Sequence, residues 1–87
     1  MNGAATQIAA REFDHDFFRL PAPLQALIQR KVDGMSLHLA TFPHYRMTGL
    51  DQYRLRVGDY RVIYRFDLVR GEIYLIAIGH RREIYRD

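Results

Sequence analysis

Apolar residues recur at helical spacing through the first half of the chain and alternate with polar ones through the second, so helices should come first and a sheet after them. Thr6 to Ala10, whose single large apolar residue is Ile8, is expected to be a short edge strand. Phe13, Phe17 and Leu20 fall on one face of a helix over Arg11 to Leu20, leaving Asp14, His15 and Asp16 for solvent. Pro21 and Pro23 end that helix. Pro23 can stand in the first turn of a second one, which buries Leu24, Leu27, Ile28, Val32, Met35 and Leu39 before Pro43 closes the segment. Gly34 interrupts the stripe at a cost of about 1 kcal/mol relative to alanine, marking either close contact with the first helix or an early helix end. Both stripes read as core, not as cofactor-binding boxes.

Gln52 to Val57 and Tyr60 to Phe66 alternate cleanly and flank Gly58-Asp59, a pair suited to a two-residue primed turn with glycine at positive φ. A looser turn over Asp67 to Glu72 leads to Ile73 to Ile78, apolar on both parities, which reads as an interior strand covered on both faces. No linker separates helices from strands. The expected fold is α+β: an N-terminal strand, a two-helix hairpin and a three-stranded antiparallel meander, in one sheet with the helices on one face. All of residues 1–87 then form one domain.

Alternation sorts the hairpin into two faces. Tyr53, Leu55, Val57, Tyr60, Val62, Tyr64 and Phe66 share the side that receives the helices, while Arg54, Arg56, Arg61, Ile63 and Arg65 share the other. A two-residue turn puts Arg56 directly across from Arg61, a like-charge pairing that costs roughly 0.2–1 kcal/mol unless an anion sits between them. Charge reinforces this reading. Residues 1–43 hold four basic and four acidic side chains, residues 44–87 nine and six, so the whole net charge of +3 lies in the second half. Twelve of the thirteen basic residues are arginine, whose planar fork matches phosphate. A genome that favours arginine codons explains that count equally well, and a solvated face salt-bridged to Asp51, Asp59 or Asp67 explains the positions.

The segment Gly79-His80-Arg81-Arg82-Glu83-Ile84-Tyr85-Arg86 gathers three arginines, a histidine, a glutamate and a tyrosine at one strand end, a set able to do chemistry on a phosphodiester. The histidines at 15, 38, 44 and 80 lack metal-ligand spacing and read as surface residues, and neither a nucleophile elbow nor a phosphate-binding loop is present. No cofactor and no metal are implied. With no cysteine, neither disulfides nor thiolate metal sites can supplement a thin core, and no apolar run approaches the ~18 residues that cross a bilayer. Met1 to Gln7 has no signal-peptide blocks, so no membrane association and a cytoplasmic location are expected. Of the tyrosines able to stack on bases, alternation turns Tyr53, Tyr60 and Tyr64 inward and leaves Tyr45 and Tyr74.

The run Gly49-Leu50, then Tyr53 to Tyr64, followed by Ile78-Gly79-His80-Arg81-Arg82-Glu83-Ile84-Tyr85, resembles the RelE/ParE superfamily of bacterial toxins from type II toxin–antitoxin systems. The resemblance extends over nearly the whole chain in its order of elements and is weakest in the first ten residues. It implies a ribosome-dependent endoribonuclease that cuts messenger RNA in the A site, with the RNA's own 2′-hydroxyl as nucleophile and a 2′,3′-cyclic phosphate as product, silenced by an acidic cognate antitoxin that covers the arginines or displaces the tail. It assigns Arg54 and Arg56 to holding the RNA backbone, Arg61 to the pentacoordinate phosphate, Arg81 to the leaving 5′-oxygen and Tyr85 to the 2′-proton; Arg65 and Arg82 extend the RNA-binding surface. His80 and Glu83 are rival bases. Two departures bear on these roles: the founding RelE-type nuclease has lysines where Arg54 and Arg56 stand, and a longer gap before the counterpart of Tyr85. Tyr85, ordinarily titrating near ~10, needs neighbouring arginines to favour its phenolate, or else only packs the tail against the sheet. ParE-type relatives instead poison DNA gyrase, and a decayed toxin that only binds its antitoxin is the third reading.

Overall fold

A computed structural model describes residues 3–84 of the chain. In the first half, β1 (Thr6–Ala9) leads into α1 (Arg11–Phe17) and α2 (Ala22–Leu37). Phe13 and Phe17, one turn apart on α1, are both buried with their rings stacked at 5.6 Å. The helix stops at Phe17 and not at Leu20, because a residue before proline is pushed out of the helical region and Pro21 follows. Pro23 sits at the start of α2, where a missing N–H costs nothing.

The buried stripe of α2 is Ile28, Val32 and Met35, continued by Leu39 in the turn beyond; Leu27, expected in the core, lies beside the stripe and is exposed. Gly34 is neither a helix end nor a contact point. The helix runs through it, and a Cβ built there meets nothing within 4 Å. Gly34→Ala is therefore expected to stabilise the protein by about 0.5–1 kcal/mol, read as a rise in melting temperature with unchanged secondary structure.

A polar clamp fixes β1 to α2. The Gln7 amide donates to Asp33 Oδ1 at 2.8 Å and to Ser36 Oγ at 3.0 Å, and the Gln29 amide donates to Asp33 Oδ1 at 2.9 Å. The donors on Gln7 and Gln29 hold the Asp33 carboxyl below its ordinary range.

The second half adds β2 (Tyr45–Arg46), β3 (Tyr53–Val57), β4 (Tyr60–Asp67), β5 (Glu72–His80) and a final turn of helix, α3 (Arg81–Ile84). They form one five-stranded sheet in the order β1-β5-β4-β3-β2, with β1 parallel to β5 and every other pairing antiparallel. β1 is an edge strand, as expected, and the meander stands as read. β2 and α3 were not anticipated. The core joins α1 and α2 to one sheet face through Leu55, Val57, Val62, Tyr64, Ile73 and Ile78.

β5 is interior, with α1 and α2 on one face, while on the other face α3 covers its end at Gly79. Ile63 pairs with Ala77 while Tyr64 pairs with Leu75, so Ile76 is the extra residue of a β-bulge. The bulge reverses the facing: Ile73 and Leu75 are core before it and Ile78 after it. A strand that changes parity halfway is apolar on both parities without being buried on both faces.

His44, expected at the surface, is instead half-buried in an aromatic corner, stacked on Phe66 at 4.0 Å and near Tyr53, Tyr64 and Phe42. Its Nε2 donates to the Leu39 carbonyl at 2.8 Å, which leaves Nδ1 to accept from the Tyr64 hydroxyl at 2.5 Å. Burial and the neighbouring Tyr53 raise the Tyr64 phenol far above its ordinary value, so it remains a donor. Among the described residues no helix is long and apolar enough to cross a membrane.

Candidate nucleic-acid interface

The β3–β4 hairpin closes as its sequence requires. Val57 pairs with Tyr60 and Arg56 with Arg61 across a two-residue turn. Gly58 has φ +59° and Asp59 does not have positive φ, which is the type II′ pattern. Pairing directions then place Arg54, Arg56, Arg61, Ile63 and Arg65 on the face away from the helices, as alternation predicts.

Arg61 differs from the other arginines because it is only 7% exposed. Its Nη1 donates to the carbonyls of Gly58 at 2.8 Å and Tyr60 at 2.9 Å, so the hairpin's own backbone fixes the guanidinium. No carboxylate of the described residues lies within ion-pair range of Arg61 or of Arg56 across from it. A buried guanidinium with neutral acceptors and no counter-charge keeps an unspent attraction for an anion.

The tail is fastened to the same turn. The Arg81 amide donates to the Asp59 carbonyl at 2.7 Å, and Arg81 Nε lies 3.5 Å from Asp59 Oδ1. Gly79 pairs with Arg61 and so faces the same side, where Ile84 of α3 sits over it: a Cβ on Gly79 would stand 3.3 Å from Ile84 Cδ1. One turn, Gly58-Asp59, thus holds Arg61 through its own strand and Arg81 through the tail. Asp59 does not cancel Arg81, because both side chains are more than half exposed and such pairs contribute little in water. The same holds for Arg65, 3.9 Å from Asp51.

The rival bases are placed differently. His80 pairs with Tyr60, hence on the helix side, and its Nδ1 accepts the Arg82 amide at 3.1 Å. The lone pair a base would use is thereby engaged. Glu83 and Arg82 are exposed on α3, and Tyr85 lies outside the described residues.

A cleft of about 630 Å³ opens along the free edge of β3, where β2 pairs only as far as Arg54. Four basic residues line it, Lys31, Arg54, Arg56 and Arg61, and no acidic one does. Phe42, Pro43, Tyr45 and Leu55 complete its lining. Sequence reading missed Lys31 and Tyr45 as site residues. Lys31 arrives from the helix layer through tertiary packing, whereas Tyr45 carried a signal as one of the tyrosines not turned inward. A second, smaller cleft is mixed in charge, lined by Asp51, Asp67, Arg65 and Tyr74. Among the described residues no cluster of three or more His, Cys, Asp or Glu side chains could hold a metal ion.

Comparison with known proteins agrees with this architecture. The family described as the ParE toxin of type II toxin–antitoxin systems, parDE, matches residues 8–85. No curated protein matches the sequence. Among solved structures, the chain is similar to the toxin–antitoxin complex RelBE2 of Mycobacterium tuberculosis, with TM-score 0.73 and 21% identity over 95% of this chain and 98% of that one. It is likewise similar to the archaeal RelE–RelB complex of Pyrococcus horikoshii OT3, with TM-score 0.74 and 22% identity over 92% and 98% of the two chains. For the isolated RelE toxin of E. coli the TM-score is 0.75 at 15% identity, over 88% of this chain and 84% of that one.

Proposed function

We propose a function from one premise: the chain belongs to the ParE toxin family of type II toxin–antitoxin systems, and its arginine face makes it an endoribonuclease that cuts messenger RNA on the ribosome. The observation that supports this is Arg61, a fixed and buried guanidinium with no carboxylate of the described residues in ion-pair range, and a tail arginine fastened to the same turn. In the proposed reaction the 2′-oxygen of one nucleotide attacks its 3′-phosphate. The bond from phosphorus to O2′ forms and the bond to O5′ of the next nucleotide breaks; the leaving 5′-oxygen takes a proton from water, so a 2′,3′-cyclic phosphate and a 5′-hydroxyl result.

Negative charge grows on the non-bridging and leaving oxygens, where Arg61 and Arg81 respectively would meet it. The 2′-proton passes to Tyr85, the base the resemblance assigns, because His80 has its lone pair occupied and stands toward the other face. Arg54, Arg56, Arg65 and Arg82 hold the strand. The protein acts as one cytoplasmic domain, kept silent by a cognate antitoxin that covers this face.

Brief induction of the protein, followed by mapping of transcript 5′ ends, is expected to reveal codon-phased cuts bearing 5′-hydroxyls in translated messages. Intact messages would remove the nuclease reading. The family match gives a second reading substance, a ParE-type poison of DNA gyrase without RNA chemistry. Inhibition of gyrase supercoiling by the purified protein, with messages intact, is the result that would favour it.

A further inference from the structure

Tyr45 is 63% exposed, and among the described residues its ring meets no other ring and its hydroxyl makes no hydrogen bond. Every other described tyrosine is occupied. Tyr53 and Tyr64 belong to the His44 corner, Tyr60 packs against His80, and the Tyr74 hydroxyl donates to Glu72. Tyr45 pairs with Arg54 across β2 and β3, so the two share the arginine face. It lines the cleft whose other lining supplies Lys31, Arg56 and Arg61 and no carboxylate.

We infer that this cleft is a subsite for one unpaired nucleotide of single-stranded RNA, its base stacked on Tyr45 and its phosphates held by the basic wall. The inference rests on the reading of the arginine face as an RNA site and adds to it a residue outside the phosphate-contacting set. Aromatic faces bind unpaired bases of any sequence, and a flat ring beside guanidinium forks offers the two contacts a nucleotide needs, π-face and phosphate. The cleft's volume falls within the ~300–1,000 Å³ usual for small-molecule sites. An acidic peptide would satisfy the charges as well but gives no reason for an unpartnered aromatic face among them. Tyr74 could not replace Tyr45, since its cleft carries Asp51 and Asp67, which repel phosphate.

The test measures affinity of the purified full chain, at low salt, for a fluorescent pentaribonucleotide and for the same strand with its central base removed. Tyr45→Ala should weaken binding of the intact strand on the order of tenfold or more, Tyr45→Phe should leave it unchanged, and neither should alter binding of the abasic strand. Equal affinity of Tyr45→Ala and wild type for the intact strand overturns the stacking subsite and leaves the nuclease reading in place. Equal losses on both strands overturn it too, because the ring would then only support the fold. If Tyr45→Ala loosens an acidic peptide but not RNA, the cleft is a protein site and the inference fails. A wild-type protein that binds neither strand overturns the subsite, and the nuclease reading then stands or falls on the transcript 5′ ends.

Discussion

Arg61→Ala is expected to slow message cleavage by roughly 10²–10³-fold while the protein remains folded, because it removes a donor aimed at charge that exists only in the transition state. The fold should survive. Arg61 lies on the face away from the helical core, and its side-chain bonds go to two turn carbonyls that water can reach once the guanidinium is gone. Arg61→Lys sharpens the test. It keeps the charge but not the planar fork, so it cannot hold both carbonyls and still present donors to a phosphate in a fixed direction. Its activity should fall between wild type and alanine, with the melting temperature near wild type for both variants. Cleavage by Arg61→Ala at the wild-type rate would show that the buried guanidinium is structural. Inhibition of gyrase by the same variant, undiminished, would carry the molecule into the other branch of its family.

Much of this site is legible in the residues alone, for a local reason. The Gly58-Asp59 turn fixes register, and register with alternation fixes which face each arginine takes; Arg56 meets Arg61 as the two-residue loop demands. What alternation could not give is depth. Arg61 and Arg65 share a face, yet one is buried and the other exposed, because Arg61 lies near the hairpin end, where Ile84 folds over its register partner Gly79. The two short elements escaped for a similar cause: two residues of β2 and four of α3 are too few to show a period. The bulge at Ile76 misled in the opposite direction, since a change of parity imitates a strand buried on both sides. His44 was misread because nothing local distinguishes a surface histidine from one whose two nitrogens meet Leu39 and Tyr64, distant in sequence or set by packing.

Gly79→Val is expected to separate the tail from the sheet and thereby lower cleavage by on the order of 10²-fold with little loss of stability, since displacing a catalytic group by about 1 Å can cost that much. A Cβ at Gly79 already stands 3.3 Å from Ile84 Cδ1 and 3.5 Å from its Cβ, and the two methyls of valine would intrude further. The strand tolerates the change: β-branched residues suit an interior strand, Gly79 has no positive φ to preserve, and the core side of β5 at Ile78 is untouched. The tail does not. Lifting Ile84 strains the bond from the Arg81 amide to the Asp59 carbonyl and moves Arg81 away from the turn that holds Arg61. Hydrogen exchange should record this as faster exchange of the Arg81 amide, while amides of β4 and β5 stay protected. Full activity in Gly79→Val, with Arg81 exchanging fast, would mean that the tail need not dock for the chemistry, and Arg81 would then lose its place beside Arg61 in the proposed reaction.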